Sequence, residues 1–386
     1  MADNTDRFEL AVDEYLRQRY HSERRSEIFS TREWDADFTA ELADLGLFAL
    51  AVPDSFGGLG QPMATLGPVF VELGRHLAAG PLLENSLLPA LLLGENADQA
   101  PLGLTAAIET GQPLALVDPG ITADWSRDVG AVVATQRGLH GTVHAVRFAQ
   151  QAGLLVVIAD HYGQPQIQLV DPEAAGVRIE HLHSADPTAP YGRVIFDGAA
   201  GEPLTLSASR SMSTVVNQLR SWARLLIACE LSGIAYRCLA LTVEYIQQRK
   251  QFGRQIGSFQ AVKHIAANMH ARSAALHNLC MAAIDDAERL DDDDELFVLA
   301  AGAKAYASTT AQSVCEDALQ LHGGIGFTTE SELHWYYKRA LVLRAWYGDT
   351  TELEVQVGSA LLDRRPGNHP LNDSAYPVPK GVAAHQ

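Results

Sequence analysis

The chain has 386 residues, of which 47% are hydrophobic and 20% are charged, enough apolar content for two or three packed domains. Its formal net charge of -18 argues against a nucleic-acid partner, because phosphate backbones are bound by basic surfaces. The class that remains is a folded, acidic, globular protein.

The sequence shows no targeting or membrane-spanning pattern. The stretch from Met1 to Tyr20 is polar and mixed in charge, unlike a signal peptide. The apolar run Leu87–Leu93 is far shorter than the ~20 residues that a membrane span needs. We therefore expect a soluble, cytoplasmic protein without a membrane partner.

The cysteines indicate buried thiols rather than disulfides or metal ligands. All of them lie in the C-terminal half and no two form a C-x-x-C pair. An H-E-x-x-H motif is also missing, so we expect no metal site. The four positions are Cys229, Cys238, Cys280 and Cys315.

The first region, residues 1–111, has the apolar spacing of helices. A glycine-rich turn at Asp54–Gly60 divides it, and a further helical pattern runs from Val69 to Leu77. Pro81, Pro89 and Pro101 interrupt the remainder. The early helical positions are Phe8, Val12, Tyr15, Leu16 and Tyr20, followed by Phe38, Leu42, Leu45 and Leu47.

The second region, residues 112–204, changes from a helical period to short β-prone runs. Clusters of Gly, Pro, Asp and His separate the runs, as in a compact β unit, and Asp197-Gly198 supplies a turn near its end. The predicted strands are Leu114–Val117, Gly130–Ala134, Gly153–Ala159, Ile167–Val170 and Gly192–Phe196.

The third region, residues 205–365, returns to long helical patterns with broad apolar stripes. The charge run Asp291–Glu295 is typical of a solvated loop or helix start. Residues 366–386 are rich in Pro, Gly, Asn and His and predict an extended tail. Helices, a β unit and then a helical bundle make a three-domain α+β plan.

The stretch Arg249–Gln260 is the most informative one for function. A helix with Tyr245 and Ile246 on its apolar face runs into Arg249, a Phe252-Gly253 break and another helix. An arginine at such a joint can contact phosphate through two hydrogen bonds, and an exposed phenylalanine can pack on a nucleotide. Alone, the segment is better explained by a helix C-terminus with a basic residue and a glycine cap, which is common.

A second stretch, Ala318–Phe327, ends a helix in the glycine-rich turn Gly323–Gly326. Glycines let a backbone approach a ligand closely and present N–H donors to phosphate. A single G-G-x-G is more often a helix stop than a site. The two stretches in this order are more specific than either alone.

Two further segments accompany these motifs: Leu45–Leu47 with Val52–Gly60, and Lys304–Ala307 on a later helix. With Arg249–Gln260 and Gln320–Phe327, they make the chain resemble the acyl-CoA dehydrogenase family over nearly its whole length. The resemblance implies an N-terminal helical domain, a middle β-barrel-like domain and a C-terminal four-helix bundle.

The resemblance also implies the cofactor FAD and a set of residues that bind it across a dimer interface. In the family, the R-x-x-F-G and Q-x-x-G-G motifs hold the pyrophosphate and adenosine of the neighbouring subunit's FAD. Residue by residue, these motifs correspond here to Arg249, Phe252, Gln320, Gly323 and Gly324.

The catalytic base of the family has no counterpart in this sequence. The reaction removes an α proton from an acyl thioester, and this requires a carboxylate within reach of that proton. The Tyr-Glu-Gly-Thr glutamate falls at Gly348, and the alternative position, on the helix before R-x-x-F-G, falls at Ala223. The fallback candidate is Asp349, one residue along and one methylene shorter than glutamate.

The flavin loop of the family is also altered. Its Thr-Glu-Pro-x-x-Gly-Ser-Asp motif corresponds to Val117–Asp124, where only Asp118-Pro119 keeps the acid-proline core. The Trp-x-Ser/Thr pair that should follow is missing, since Trp125-Ser126 falls in the wrong place. The resemblance places Arg224 and Tyr347 beside the substrate.

Three hypotheses follow. The first is a base-deficient subunit of a heteromeric (α2β2) acyl-CoA dehydrogenase, which completes the FAD site of a partner that carries the glutamate. The second is a self-sufficient dehydrogenase with Asp349 as a displaced base. The third is a flavin-dependent monooxygenase, or a structural partner, on the same scaffold. The first implies an acyl-CoA thioester as substrate, a dimer or tetramer, and admits an electron-transferring flavoprotein as acceptor.

Overall fold

The computed structural model describes residues 2–95, 101–121, 132–205, 211–328 and 331–363. The helices are α1 (Ala2–Arg19), α2 (Ser22–Thr31), α3 (Ala36–Asp44), α4 (Leu66–Arg75), α5 (Leu82–Glu95), α6 (Leu102–Thr110), α7 (Met212–Gln248), α8 (Gln260–Ala287), α9 (Asp293–His322), α10 (Leu333–Ala345) and α11 (Thr350–Asp363). The strands are β1 (Leu114–Val117), β2 (Val133–Thr135), β3 (Gly138–Arg147), β4 (Leu154–His161), β5 (Gln164–Val170), β6 (Val177–Leu182), β7 (Tyr191–Ala199), β8 (Glu202–Pro203), β9 (Lys250–Gln251) and β10 (Arg254–Gln255). The predicted order of helices, sheet and helices is confirmed.

The middle of the chain folds into one mixed sheet. Its strand order is β6-β7-β3-β2-β4-β5-β8, and β1 pairs beside β4. The β1–β4 and β2–β4 pairs are parallel, and the other pairs of this sheet are antiparallel. The buried face carries its own apolar core, which includes Val143, Val157 and Phe196.

The two helical domains share one continuous hydrophobic core. Contact between α4 and α7 is close because glycines face backbone on both sides. A Cβ on Gly74 would lie 2.1 Å from the Glu230 carbonyl oxygen, and one on Gly233 would lie 1.9 Å from that of Val71. Small residues at both contacts therefore fix how the N-terminal domain meets the bundle.

α7 is the central helix of the C-terminal bundle and packs against α4, α8 and α9. Its length and mean hydropathy would be enough to cross a membrane, but 72% of its apolar window is buried inside the fold. It is apolar on nearly all sides because other helices surround it. This accounts for its composition as a core helix.

A single arginine connects all three domains. Arg339 of α10 is 2% exposed; its Nε donates to Glu230 of α7 at 2.8 Å, and its Nη1 contacts Asp186 at 2.9 Å. The same guanidinium also donates to Thr188 and to the carbonyl of Ala78. Burial opposes ionisation of Asp186, but Arg339 outweighs it and holds the pKa of this carboxyl below its usual range.

Several predicted elements differ from the structure. Pro89 lies inside α5 instead of interrupting the chain, and the sequence pattern does not predict β3 or β6. β3 contains two glycines and two histidines, and β6 alternates with a charged outer face, so neither forms an apolar run. Residues 130–131 of a predicted strand, Thr122–Ser126 of the flavin loop and the tail from 366 lie outside the described residues.

Candidate functional site

The first part of the site is the loop from Trp346 to Asp349, between α10 and α11. Tyr347 and Gly348 both have positive φ, at 62° and 110°. The buried Lys304 of α9 holds this loop, because its Nζ donates to the carbonyls of Arg344, at 2.5 Å, and Gly348, at 2.8 Å. Burial lowers the pKa of Lys304 to about 7. The loop is therefore anchored from the bundle side.

The backbone at Gly348 leaves no room for a side chain. A Cβ there would lie 2.7 Å from Cδ2 of Leu353 and 2.9 Å from its Cγ. The φ of 110° is also one that residues with a side chain rarely adopt. The first base position is thus closed to a carboxylate by local geometry as well as by sequence.

Asp349 caps a helix. Its Oδ1 accepts from the backbone N–H of Thr351 at 3.0 Å, in the first turn of α11. Its Oδ2 lies 3.6 Å from Nε of Arg344. Both oxygens therefore already have a helix-capping or ion-pairing role. Asp349 as a displaced base stays a prediction, and this geometry gives it no support.

The second base position lies on α7, next to an arginine that contacts the same loop. Ala223 of α7 is fully buried, and the next residue, Arg224, donates from Nε to the Tyr347 carbonyl at 3.0 Å. Arg224 also lies over the ring of Phe297 at 5.2 Å, and burial, with Arg220 nearby, lowers its pKa to about 10. Arg224 thus links the residue that follows Ala223 to the residue that precedes Gly348, and neither base position carries an acid.

Buried side chains of β3 and α5 pack around this loop. Arg147, at the end of β3, lies 4.1 Å over the Trp346 ring and 3.7 Å from Glu84 of α5. Arg147, Glu84 and Tyr347 are all buried, and Oε2 of Glu84 has no hydrogen-bond partner within the described ranges. Burial raises the pKa of Glu84. Sequence reasoning missed Arg147 and Glu84, because only tertiary packing brings them together.

The remnant of the flavin loop is tied to α7. Asp118 is fully buried and receives two hydrogen bonds from Arg220, Nε at 2.8 Å and Nη2 at 2.7 Å. Asp118 also accepts from the N–H of Gly120 at 2.8 Å. The acid-proline core therefore serves as an anchor to the bundle.

The second part of the site is a hairpin at the C-terminal end of α7. β9 and β10 pair around Phe252 and Gly253, whose φ values of 52° and 75° make a turn with both central residues in the left-handed region. The expected helix break is thus a two-stranded hairpin. Arg249, at its base, is exposed, and the Phe252 side chain at its tip is 90% exposed.

The Gly323–Phe327 turn lies beside the hairpin. The rings of Tyr245, one turn before Arg249, and His322, at the end of α9, stack at 4.2 Å. Gln320, Gly323 and Gly324 are exposed, and a Cβ on either glycine would meet nothing within 4 Å. The structure thus places the predicted cofactor residues on one open surface, which we call the trans surface: Arg249, Phe252, Gln320, Gly323 and Gly324.

The trans surface fits a diphosphate-containing nucleotide. Arg249 offers an unburied guanidinium, the open glycines allow close approach of a backbone, and Phe252 presents an apolar face that this chain leaves uncovered. The loop around Tyr347 fits a flavin ring poorly, since Arg147, Trp346 and the Asp118–Arg220 pair occupy its surroundings.

Comparisons with known proteins give the family of the chain. The family models for the acyl-CoA dehydrogenase N-terminal and C-terminal domains match residues 3–99 and 213–361. The chain is 31% identical to acyl-CoA dehydrogenase IpdE2 of Mycobacterium tuberculosis over 318 residues, which cover 82% of this chain and 84% of that protein. It is also 31% identical to FadE34 of the same organism over 78% of this chain, but spans only 38% of the length of FadE34.

Solved structures of two-component assemblies share the fold. They are a variant of the Tcur3481–Tcur3483 steroid acyl-CoA dehydrogenase and the ChsE4–ChsE5 complex of Mycobacterium tuberculosis. Each aligns with a TM-score of 0.83 at 24% identity over 94% of this chain and 98% of the matched chain. Neighbours with this fold include a glutaryl-CoA dehydrogenase of Mycobacterium smegmatis in complex with FADH2, with a TM-score of 0.78 and 16% identity over 93% of this chain and 94% of that chain.

Proposed function

The chain belongs to the acyl-CoA dehydrogenase family, and we propose that it is a base-deficient subunit of a heteromeric member. In this role it completes the FAD site of a partner subunit that carries the catalytic glutamate. One observation carries the proposal: neither base position, Ala223 on α7 or Gly348 in the loop that Arg224 contacts, carries an acid, while the trans surface stays open and exposed.

The missing base limits what the chain does alone. A positioned general base contributes typically 10²–10⁴-fold to the rate, and neither alanine nor glycine can accept a proton. Asp349 already accepts from the N–H of Thr351 at the start of α11. We therefore expect the isolated chain to be nearly inert toward acyl-CoA thioesters.

The trans surface has a separate task in the assembly. FAD, when bound, supplies the acceptor for the hydride that leaves the β carbon of the acyl group. In this chain, Arg249 would bind the pyrophosphate, Phe252 would pack against the nucleotide, and Gly323 and Gly324 would let the backbone approach it. The amide of Gln320 would add a polar contact. Each of these groups acts on the cofactor of the neighbour.

The contacts around Tyr347 support the part of the proposal that places the chemistry in the partner subunit. Arg147 stacks on Trp346, and Arg224 donates to the Tyr347 carbonyl. The side chains that face the loop Trp346–Asp349, the base loop, therefore already have partners within this chain. The prediction that Arg224 and Tyr347 lie beside the substrate stays a prediction, and these contacts give it no support. We propose instead that the bound thioester lies mainly in the partner subunit.

The names of the similar proteins support a heteromer with a bulky acyl group. One structural neighbour is named as a steroid acyl-CoA dehydrogenase of two components, and another as a two-component complex. We propose an acyl-CoA of sterol side-chain type as substrate and an electron-transferring flavoprotein as acceptor. The proposed location is the cytoplasm.

Co-expression tests the proposal. The chain is produced alone and with acyl-CoA dehydrogenase subunits that are encoded nearby and carry the glutamate, and FAD is quantified after gel filtration. We expect a stable mixed assembly that retains FAD, and little FAD on the chain alone. A chain that forms no mixed assembly and retains a full complement of FAD by itself would contradict the proposal.

Restoring a glutamate at the first base position is expected to fail. Gly348→Glu places a side chain at a φ of 110° and within 2.7 Å of Leu353, so we expect a loss of about 1–3 kcal/mol in the free energy of unfolding. No acyl-CoA oxidation should appear in the isolated variant. Denaturant unfolding and a dye-reduction assay measure the two effects.

Two further variants separate strain from chemistry. Gly348→Ala should lose stability without adding an acid, whereas Gly302→Ala, in an open position inside α9, should lose none and gain about 0.5–1 kcal/mol. Gly348→Glu combined with Leu353→Ala relieves the overlap. Brisk turnover by either glutamate variant in the absence of a partner would show that the site lacks only its base.

A further inference from the structure

A cleft lies apart from the residues assigned to acyl-CoA chemistry, since none of its lining residues belongs to the base loop or the trans surface. It has a volume of about 530 Å³ and is formed by α1, the start of α2, the end of α4, α7 and α10. Tyr20 and Tyr336 contribute aromatic walls, and both are fully buried. The volume is within the range of small-molecule sites.

The lining of the cleft is rich in arginine although the chain is acidic. Arg17, Arg25, Arg75 and Arg237 line it, against the carboxylates of Asp13 and Glu332. Three of these guanidinium groups pair with carboxylates, so among the described residues the unpaired positive charge of the cleft is that of the fourth, Arg237. In a chain with a formal net charge of -18, an unpaired guanidinium at a cavity favours an anionic ligand.

Arg237 carries the guanidinium that is free to bind an anionic ligand. Arg17 pairs with Asp13 at 2.8 Å, Arg25 with Glu332 at 2.8 Å and Arg75 with Glu72 at 2.7 Å. Arg237 makes no hydrogen bond or ion pair within the part of the chain that the structure describes.

The N-terminus of α2 adds unused donors at the same cleft. His21, its N-cap residue, has an extended backbone and makes no side-chain cap hydrogen bond, and His21 and Ser22 both line the cavity. The first backbone N–H groups of a helix have no intrahelical partner and carry partial positive charge. A helix N-terminus next to arginines is a recurrent way to bind phosphate.

We propose that this cleft binds the phosphate group of a small molecule, with Arg237 and the N-terminus of α2 as its principal donors. The remaining volume, beside Tyr20 and Tyr336, accommodates the body of the ligand. Arg25 of α2 and Arg75 of α4 also line the cleft, each beside its own carboxylate partner.

A metal ion is the competing occupant. Asp13 of α1, with Glu72 and His76 at the end of α4, place one potential ligand atom each within 4.8 Å of one another, and Oε2 of Glu72 is buried without a hydrogen-bond partner among the described residues. However, Arg17 contacts both oxygens of Asp13, and Arg75 contacts Oε1 of Glu72. Burial also raises the pKa of Glu72 to about 7, which lowers the negative charge near neutral pH. These charges oppose a cation and favour an anion.

Isothermal titration of the full chain with pyrophosphate, inorganic phosphate and succinate, at constant ionic strength, tests the proposal. We expect the phosphates to bind, and Arg237→Gln to weaken pyrophosphate binding by roughly tenfold or more, since it removes an unshared charge-assisted donor. Arg237 has no partner to lose, so the variant should fold normally. Succinate should bind clearly more weakly than pyrophosphate.

Two controls distinguish this site from the trans surface and from a general charge effect. Arg249→Gln should leave pyrophosphate binding at the cleft in place, and so should Arg289→Gln, whose side chain is 72% exposed. Binding that Arg249→Gln abolishes and Arg237→Gln does not would overturn the proposal. So would equal binding of succinate, or binding of Mn²⁺ without phosphate that His76→Ala removes.

Discussion

Arg249→Gln in this chain is expected to weaken FAD binding by the mixed assembly by about 10- to 100-fold, because it removes a charge-assisted contact to phosphate of about 1.5–3 kcal/mol. The side chain is exposed in the chain alone, so the variant should fold and assemble normally. FAD fluorescence titration of the purified mixed assembly measures the change.

Phe252→Ala offers an independent test of the same surface. Its side chain is 90% exposed at the hairpin tip and contacts only Phe259 among the aromatic rings described, at a centroid distance of 6.2 Å. Truncation should therefore cost little stability in the chain alone but reduce FAD retention in the assembly. Arg289→Gln serves as the charge control. Unchanged FAD affinity in both Arg249→Gln and Phe252→Ala would remove the trans surface from the account.

Arg339→Met is expected to destabilise the chain by about 3–5 kcal/mol, because it leaves the buried carboxylates of Glu230 and Asp186 without their cation. The loss should exceed that of any surface substitution, since Arg339 connects α10, α7 and the carbonyl of Ala78. Urea unfolding followed by circular dichroism measures the free energy of unfolding.

Neutralising the two acids at the same time checks the mechanism. In Arg339→Met with Glu230→Gln and Asp186→Asn, the buried charges disappear together, and we expect a large part of the lost stability to return. Arg289→Met, at an exposed pair with Asp286, should change stability by less than about 0.5 kcal/mol. A loss in Arg339→Met as small as this control would show that the network contributes little.

The long helices and the cofactor motifs could be predicted from the sequence because they depend on local patterns. Apolar residues recur through most of the 37-residue helix α7, and the Arg249 and Gly323 motifs each lie within one short segment. The hairpin at Phe252-Gly253 is also a local feature, but its strands have two residues each, too few to show a period.

The surroundings of the base loop could not be predicted in the same way. Arg147 and Glu84 are 63 residues apart in sequence, and a buried arginine in a strand gives no local signal of its partner. α5 was obscured by Pro89, whose missing N–H normally argues against a helix interior. Its neighbour Asn85 ties this helix to β1, because Oδ1 of Asn85 accepts from the N–H of Leu114 at 3.0 Å. Tertiary contacts thus decide the structure there.

The most direct test of the central claim is acyl-CoA oxidation by the chain purified alone and supplied with FAD. Butyryl-, octanoyl- and palmitoyl-CoA and a sterol side-chain thioester are offered anaerobically with an electron-accepting dye, beside the co-expressed assembly. We expect the assembly to turn over at least one of them, and the chain alone to be slower by about 10²–10⁴-fold. Desaturation by the chain alone at a rate similar to that of the assembly would contradict the claim that its base must come from a partner.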